Sequence, residues 1–309
     1  MPKTIRVGTF TPSVLLRVAR RGGRLRDAGL EVTETPVQSS PGQFAALFDG
    51  ALDAVLTSPD NVLAYRYSPV NPLRRTADVR ILAAVDRGLG LALYSRLSPA
   101  DLRGAAFAVD VPDSGFAFAM YALAASLGLD RDAYEVVTLG ATPRRLAALL
   151  AGECAATMLN AGNELRAEQA GFRALARAGE VCAPYLGTVL ATVARPHPGR
   201  SGPVTPDRPG GEYAGLAGAL VDTAAAVRSG TLDDEVIEEA GAALDLPAPL
   251  ALRYLARLKD PTEGLVPDGL VDPDSIRVLV DLRRRYGPSL PGDPFADALA
   301  PRSGLLADR

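Results

Sequence analysis

The residues best suited to chemistry in this chain fall in short polar stretches, each following an apolar run. The first half carries Thr9, Phe10 and Thr11, then Ser39 and Ser40, then Thr57, Ser58, Asp60 and Asn61. The second carries Asp110, Asp113, Ser114, Gly115 and Phe116, then Thr142, then Asn160 and Asn163. Hydroxyls, amides and carboxylates of this kind suit hydrogen bonding to a small ligand. The same residue types also cap helices and build turns, so local structure explains any one stretch alone. The set gains weight if one fold brings all the stretches to common sheet edges.

Charge leaves the ligand open. Asp60, Asp110, Asp113 and Glu164 favour a cationic or polyhydroxyl ligand, or acid–base work by paired carboxylates. Arg66, Arg144 and Arg145 favour an anion, but a basic pair after a helix start reads as solvated surface. Phe10 and Phe116, beside the loops, suit stacking on a ligand; Tyr65 and Phe118, at helical spacing, read as core.

Several chemistries are disfavoured. The chain has 309 residues, 48% hydrophobic and 22% charged, with net charge −3 and no basic block, which argues against nucleic acid as a partner. Its one histidine, His197, sits in a Pro-flanked loop and excludes a two-histidine metal site. Cys154 and Cys182 form no metal-binding pattern, and Cys154 reads as a small buried apolar residue. No metal and no cofactor are therefore expected. The longest uncharged stretch, residues 114–129, is shorter than the ~20 residues needed to span a bilayer. The start "MPKTIRVGTF" shows neither a signal peptide nor a lipid-anchor cysteine. As written, the sequence reads as a cytoplasmic monomer, or as an extracytoplasmic one if the true start lies upstream.

The elements that must position these stretches alternate. "IRVGTF" reads as a strand and "VLLRVARRGGRL" as an amphipathic helix. "GLEVTETPV" reads as a strand, "FAALFDG" as a helix with its glycine stop and "LDAVLTS" as a strand. A β-α-β-α-β order argues for a parallel sheet covered by helices. The order then recurs: "FAVDV", the all-round apolar helix "FAFAMYALAASLGL", "YEVVTLG", "ATPRRLAALLAG" and "ECAATMLNAGN". One constant separation relates Val7 to Val109, Pro41 to Pro143, Gly50 to Gly152, Ala54 to Ala156 and Asn61 to Asn163. That constancy predicts two similar lobes. "VRILAAVDRGLGLALYS" and "VLATVARP" supply two crossings, hence a two-strand hinge. A Pro/Gly loop at 199–213, several helices and a loosely packed tail from Pro288 complete the chain. The expected division is 1–94 plus 190–309 as the first lobe, with the C-terminal helices packed on it, and 95–189 as the second.

"VARRGGRLRDAGLEVTETPVQSSPGQFAALFDGALDAVLTSPDN", "SPADLRGAAFAVDVPDSG" and "ALLAGECAATMLNAGN" together resemble type 2 periplasmic binding proteins. The nearest group is the one that binds sulfonates, nitrate and thiamine precursors. The resemblance covers about residues 5–195. It implies an α/β fold of two lobes around a cleft, with strand C-termini and helix N-termini facing a ligand. It also implies a substrate-binding protein of an ABC-type transporter, partnered by a permease if secreted. The alternative is a cytoplasmic lyase of the same fold, a decarboxylase or dehydratase acting on a small organic acid or cofactor precursor. The cysteine-rich motif and catalytic histidines of the thiamine-precursor synthases are missing, which leaves that chemistry unsupported. A transcription-factor effector domain is disfavoured, since no helix-turn-helix precedes Thr4.

Overall fold

The computed structural model describes residues 2–194, 211–290, 292–300 and 304–306. His197 and most of the 199–213 loop lie outside the described residues. The first lobe begins with β1 (Lys3–Thr9), α1 (Val14–Arg21), the short α2 (Arg24–Asp27), β2 (Leu30–Pro36) and α3 (Ser40–Phe48). It continues with β3 (Ala54–Thr57), α4 (Pro59–Tyr67) and β4 (Val79–Asp86). The chain then crosses to β5 (Ala92–Ser95), β6 (Ala106–Val109), α5 (Gly115–Ser126) and β7 (Glu135–Thr138). There follow α6 (Thr142–Ala151), β8 (Ala156–Leu159), α7 (Asn163–Gln169), β9 (Arg173–Arg177) and α8 (Ala178–Val181). It returns through β10 (Thr188–Val193) and ends in α9 (Gly211–Arg228), α10 (Asp233–Leu244), α11 (Ala248–Lys259) and α12 (Pro273–Tyr286).

Two five-stranded mixed sheets result, with orders β2-β1-β3-β10-β4 and β7-β6-β8-β5-β9. In each, four strands run in one direction and one strand arriving from the other lobe inserts antiparallel between two of them: β10 between β3 and β4 in the first, β5 between β8 and β9 in the second. The swapped strands make the double crossing between the lobes, at residues 87–91 and 178–187. The β-α-β repeat read from the sequence is therefore real, with one correction of register. β1 pairs Val7 with Ala54, whereas β6 pairs Phe107 with Ala156. Phe107, not Val109, is the counterpart of Val7. Two residues more lie between the first and third strands in the second lobe than in the first. The residues that pair β1 with β3 (Val7, Gly8, Ala54 and Val55) and β6 with β8 (Phe107, Ala108, Ala156 and Thr157) are small or apolar, so residue type does not mark that register.

Each repeat helix starts and stops for a local reason. Ser39 Oγ accepts the Gly42 N–H and Pro41 occupies the first turn of α3. α6 likewise has Pro143 in its first turn. Gly50 and Gly152, at φ +80° and +76°, turn the chain after α3 and α6 in a conformation that only glycine adopts cheaply. α5 is apolar on nearly all sides and packs within a core that runs from Phe44 and Tyr65 through Phe107 and Phe118 to Ile276 and Leu279 of α12. That core is continuous between the lobes. α9, α10 and α11 cover the other face of the first sheet, around Ile5, Leu16 and Leu190. α6 and α7 cover the second sheet around Tyr94, Leu146 and Leu159. No helix among the described residues is long and apolar enough to cross a membrane.

Candidate functional site

Strand C-terminal ends and helix N-termini of both lobes converge on one cleft. This follows from β-α order: parallel strands followed by helices place every βα loop at the same sheet edge. β1 ends at Thr9, β3 at Thr57, β6 at Val109 and β8 at Leu159, and the polar stretches begin there. Between the two edges lies a cavity of about 120 Å³. That is room for a ligand of roughly ten non-hydrogen atoms, taking ~10–15 Å³ of such space per water-sized position.

The first lobe contributes Thr9, Phe10, Thr11, Thr57, Ser58 and Asn61 to the cavity wall. The second contributes Asp110, Ser114, Gly115, Phe116, Thr142 and Asn160. Ser58 and Ser114 do two jobs. Their Oγ atoms cap α4 and α5 by accepting the N–H groups of Asp60 and Ala117, at 3.3 Å each. A hydroxyl that accepts from a cap can still donate its own proton to a ligand. Gly115 and Phe116, in the first turn of α5, carry N–H groups that the helix itself cannot satisfy. Thr57 Oγ1 accepts the Asn61 amide at 3.0 Å, and Asn160 donates to the Gly88 carbonyl at 3.1 Å, which orients both amides.

The remaining sequence-derived residues lie off the cavity wall and tie the lobes together or cap helices. Ser40 donates its backbone N–H to Asp110 Oδ2 at 3.0 Å, and Asn163 donates to Thr11 Oγ1 at 3.2 Å. With the Ala141 N–H on the Gln38 carbonyl at 2.9 Å, these bonds cross the cleft. Ser39 is the α3 cap. Asp113 is exposed, and its carbonyl accepts from Arg283. Asp60 is 1% exposed, and Arg283 of α12 grips both its oxygens at 2.6 and 2.8 Å. Its carboxylate is therefore committed to the protein.

Three groups were missed. Arg145, read from sequence as solvated surface, is 2% exposed and lies on the cavity wall. It donates to Thr157 Oγ1 at 3.2 Å, to Thr142 Oγ1 at 3.1 Å, to the Met158 carbonyl at 3.2 Å and to the Gly140 carbonyl. Burial pulls its guanidinium down to about 10. Its neighbour Arg144 does face water. Helical periodicity separates them: Arg145, Leu146 and Leu149 share the buried face of α6, a signal the sequence carried.

Asp86 ends β4 at the crossing and also lines the cavity. It accepts the Gly88 N–H at 2.8 Å, and burial raises it to about 6. Tyr254 and Leu258 of α11 close the far wall, a contribution from sequence-distant helices that no local pattern announces. Of the aromatic candidates, Phe10 and Phe116 line the cavity, while Tyr65 stacks on Phe44 at 4.1 Å in the core and Phe118 is buried. Cys154 is buried and its thiol pushed up to about 11 by burial. Among the described residues no cluster of three or more His, Cys, Asp or Glu could hold a metal ion.

No known family profile matches the chain, and no curated protein matches it in sequence. Solved structures do resemble it in fold. The alkanesulfonate-binding protein SsuA from Xanthomonas axonopodis pv. citri, bound to MOPS, superposes with TM-score 0.70 at 18% identity, over 93% of this chain and 95% of that one. The periplasmic nitrate-binding protein NrtA from Synechocystis PCC 6803 gives 0.73 at 10% identity, over 93% and 82%. The Candida albicans CA3427 product, described as having the generic periplasmic binding protein fold, gives 0.70 at 15% identity, over 97% and 95%. The chain therefore has the two-lobed α/β fold of type 2 periplasmic binding proteins.

Proposed function

We propose that this protein binds a small organic molecule between its lobes, as the substrate-binding protein of an ABC-type importer or a relative of one. The observation that carries this reading is the cavity itself. Both lobes wall it with hydroxyls, amides, two aromatic rings and first-turn helix N–H groups, and hydrogen bonds cross the cleft beside it. Pockets with a few convergent polar groups among apolar walls are ligand sites. The solved structures of like fold include binders of an alkanesulfonate and of nitrate, which supports the class of function and leaves the ligand to experiment. The permease partner and an extracytoplasmic location belong to the same proposal.

One observation favours a second reading, a lyase on this fold. Asp86 is a buried carboxylate on the cavity wall, and burial pushes it up to about 6, toward the range that suits a general acid or base.

Native mass spectrometry of the purified protein tests the first reading. The expected result is a small-molecule adduct that is lost on denaturation and recovered unchanged after incubation with fresh protein. Conversion of that molecule would overturn simple binding in favour of the lyase. Protein that carries no adduct, and whose melting temperature no small polar metabolite shifts, would overturn both.

A further inference from the structure

The cavity is walled by the N-termini of α4 and α5, which lie in different lobes, and one side chain from a third helix joins them. Arg283 of α12 donates through Nε and Nη2 to Asp60 Oδ1 and Oδ2, at 2.6 and 2.8 Å. Asp60 stands in the first turn of α4, in the first lobe. Nη2 of the same guanidinium also donates to the Asp113 carbonyl at 3.3 Å, two residues before α5 in the second lobe. The guanidinium stands 5.1 Å from the Phe118 ring centroid of α5 and 5.5 Å from that of Phe295. Both charged side chains are almost fully buried, at 5% and 1% exposure. Gly115 presses so closely on Asp60 that a Cβ there would overlap its side chain.

A planar fork with several donors can hold a carboxylate bidentately and still reach another acceptor; an ammonium presents a single point charge. We propose that Arg283 is a positioning residue of the cleft: it clamps α12 to both lobes and sets the spacing of the α4 and α5 N-termini. Ser58 and Asn61 ride on the first of those N-termini, and Ser114 and Phe116 on the second. The apolar face of α12 continues the clamp, because Ile276, Leu279 and Val280 sit in the core that both lobes share. The effect on ligand affinity rests on the cleft being the ligand site; the effect on lobe spacing does not.

Spin labels on Glu31→Cys and Asp132→Cys, both exposed and in opposite lobes, report that spacing by electron–electron double resonance. The native thiols are buried and escape labelling. Arg283→Met alone strands a buried carboxylate and can fail to fold. The paired Asp60→Asn/Arg283→Met variant removes both charges and keeps the volume, so it serves as the main test. The expected result is one narrow distance distribution for the parent and a second, broader population above roughly a tenth of molecules for the paired variant, the level at which a minor state is readily populated.

Arg283→Lys should give the same second population, because lysine lacks the fork. Arg6→Met, which breaks an ion pair confined to the first lobe, lowers the melting temperature and leaves the distribution unchanged. A paired variant with the parent's distribution overturns the clamp. Broadening in the paired variant, with no adduct in the parent and no small polar metabolite shifting its melting temperature, supports the clamp and refutes the binding function separately. Where a ligand is retained, its dissociation rate should rise about tenfold in the paired variant.

Discussion

Asp110 in the second lobe accepts the backbone N–H of Ser40 in the first, at 3.0 Å, so a side chain of one lobe caps a helix of the other. The bond pairs a carboxylate with the positive end of α3, an arrangement that helix dipoles favour. It spans the two lobes beside the cavity. Asp110→Ala should therefore weaken ligand binding about tenfold, the effect of losing roughly 1.4 kcal/mol, within the range for a hydrogen bond to a charged group. Asp110→Asn keeps an acceptor for Ser40 and should lose less. Isothermal titration with the retained ligand checks both. Equal losses would show that the ligand feels the Asp110 charge directly and that the cap is incidental.

Arg145 gives the second prediction. Its guanidinium serves four neutral acceptors in the second lobe, and Arg145→Met would take a donor from each in a buried site, although Thr157 keeps its bond to the Ala108 carbonyl. Each unsatisfied buried group costs about 1–3 kcal/mol, so the variant should lose roughly 3 kcal/mol or more in urea unfolding. Arg145→Lys keeps the charge and cannot reach four acceptors, and should fall between. A variant as stable as the parent would mean that Arg145 is held for the ligand and contributes nothing to the fold.

These two residues also show what the sequence disclosed. The βα order, the repeated glycine stops and the serine caps are local, and local patterns announced both lobes and most of the loops that reach the cavity. Ser58 and Ser114 were legible because cap and cavity wall coincide at a sheet edge. Asp60 was misleading for the same reason. It sits in a loop stretch of the right type, but its partner Arg283 lies far along the chain, and only packing of α12 brings them together. Asp86 and Tyr254 were invisible because the cavity's far wall is built by tertiary contact rather than by any repeat. Arg145 was legible in its helical phase and was read by its type instead.

Stability should depend on pH through Glu164. Burial pushes its carboxyl up from 4.5 to about 8, with Gly162 N–H donating to Oε2 at 2.7 Å. Between those values the folded chain holds a proton that the unfolded chain releases. Stability contributed by this group is full below about 4.5 and is lost as pH rises through about 8. Asp86 acts in the same sense between 3.8 and about 6. The carboxyls of Asp78 and Asp260, held low by hydrogen bonds and nearby cations, act in the opposite sense at acid pH. The urea midpoint should therefore peak near pH 4, where the gain from Asp78 and Asp260 ends and the losses at Asp86 and Glu164 begin, and decline toward pH 8.5. The loss should reach a few kcal/mol, since a tenfold difference in proton affinity between folded and unfolded chain is worth about 1.4 kcal/mol. Glu164→Gln should flatten the upper part of the decline. A midpoint that rises from pH 5 to 8 would refute the assignment.

Gly115 gives a steric prediction. Its backbone is ordinary, so the constraint lies in space alone: an added Cβ would fall on the Cβ and carboxylate of Asp60. Asp60 has no room to yield, because Arg283 holds both its oxygens. Gly115→Ala must then push α5 away from α4, separating Ser114 and Phe116 from Ser58 and Asn61 across the cavity. The variant should lose about 1–3 kcal/mol by overpacking and bind ligand more weakly. Gly218→Ala is the matching control. It stands exposed within α9 with nothing near its Cβ, and should gain about 0.5–1 kcal/mol from reduced freedom in the unfolded chain. Thermal unfolding of the two variants, read beside their ligand affinities, separates the steric effect from helix propensity. If Gly115→Ala kept the parent's stability and affinity, the α4–α5 contact would not be what fixes the width of the cleft.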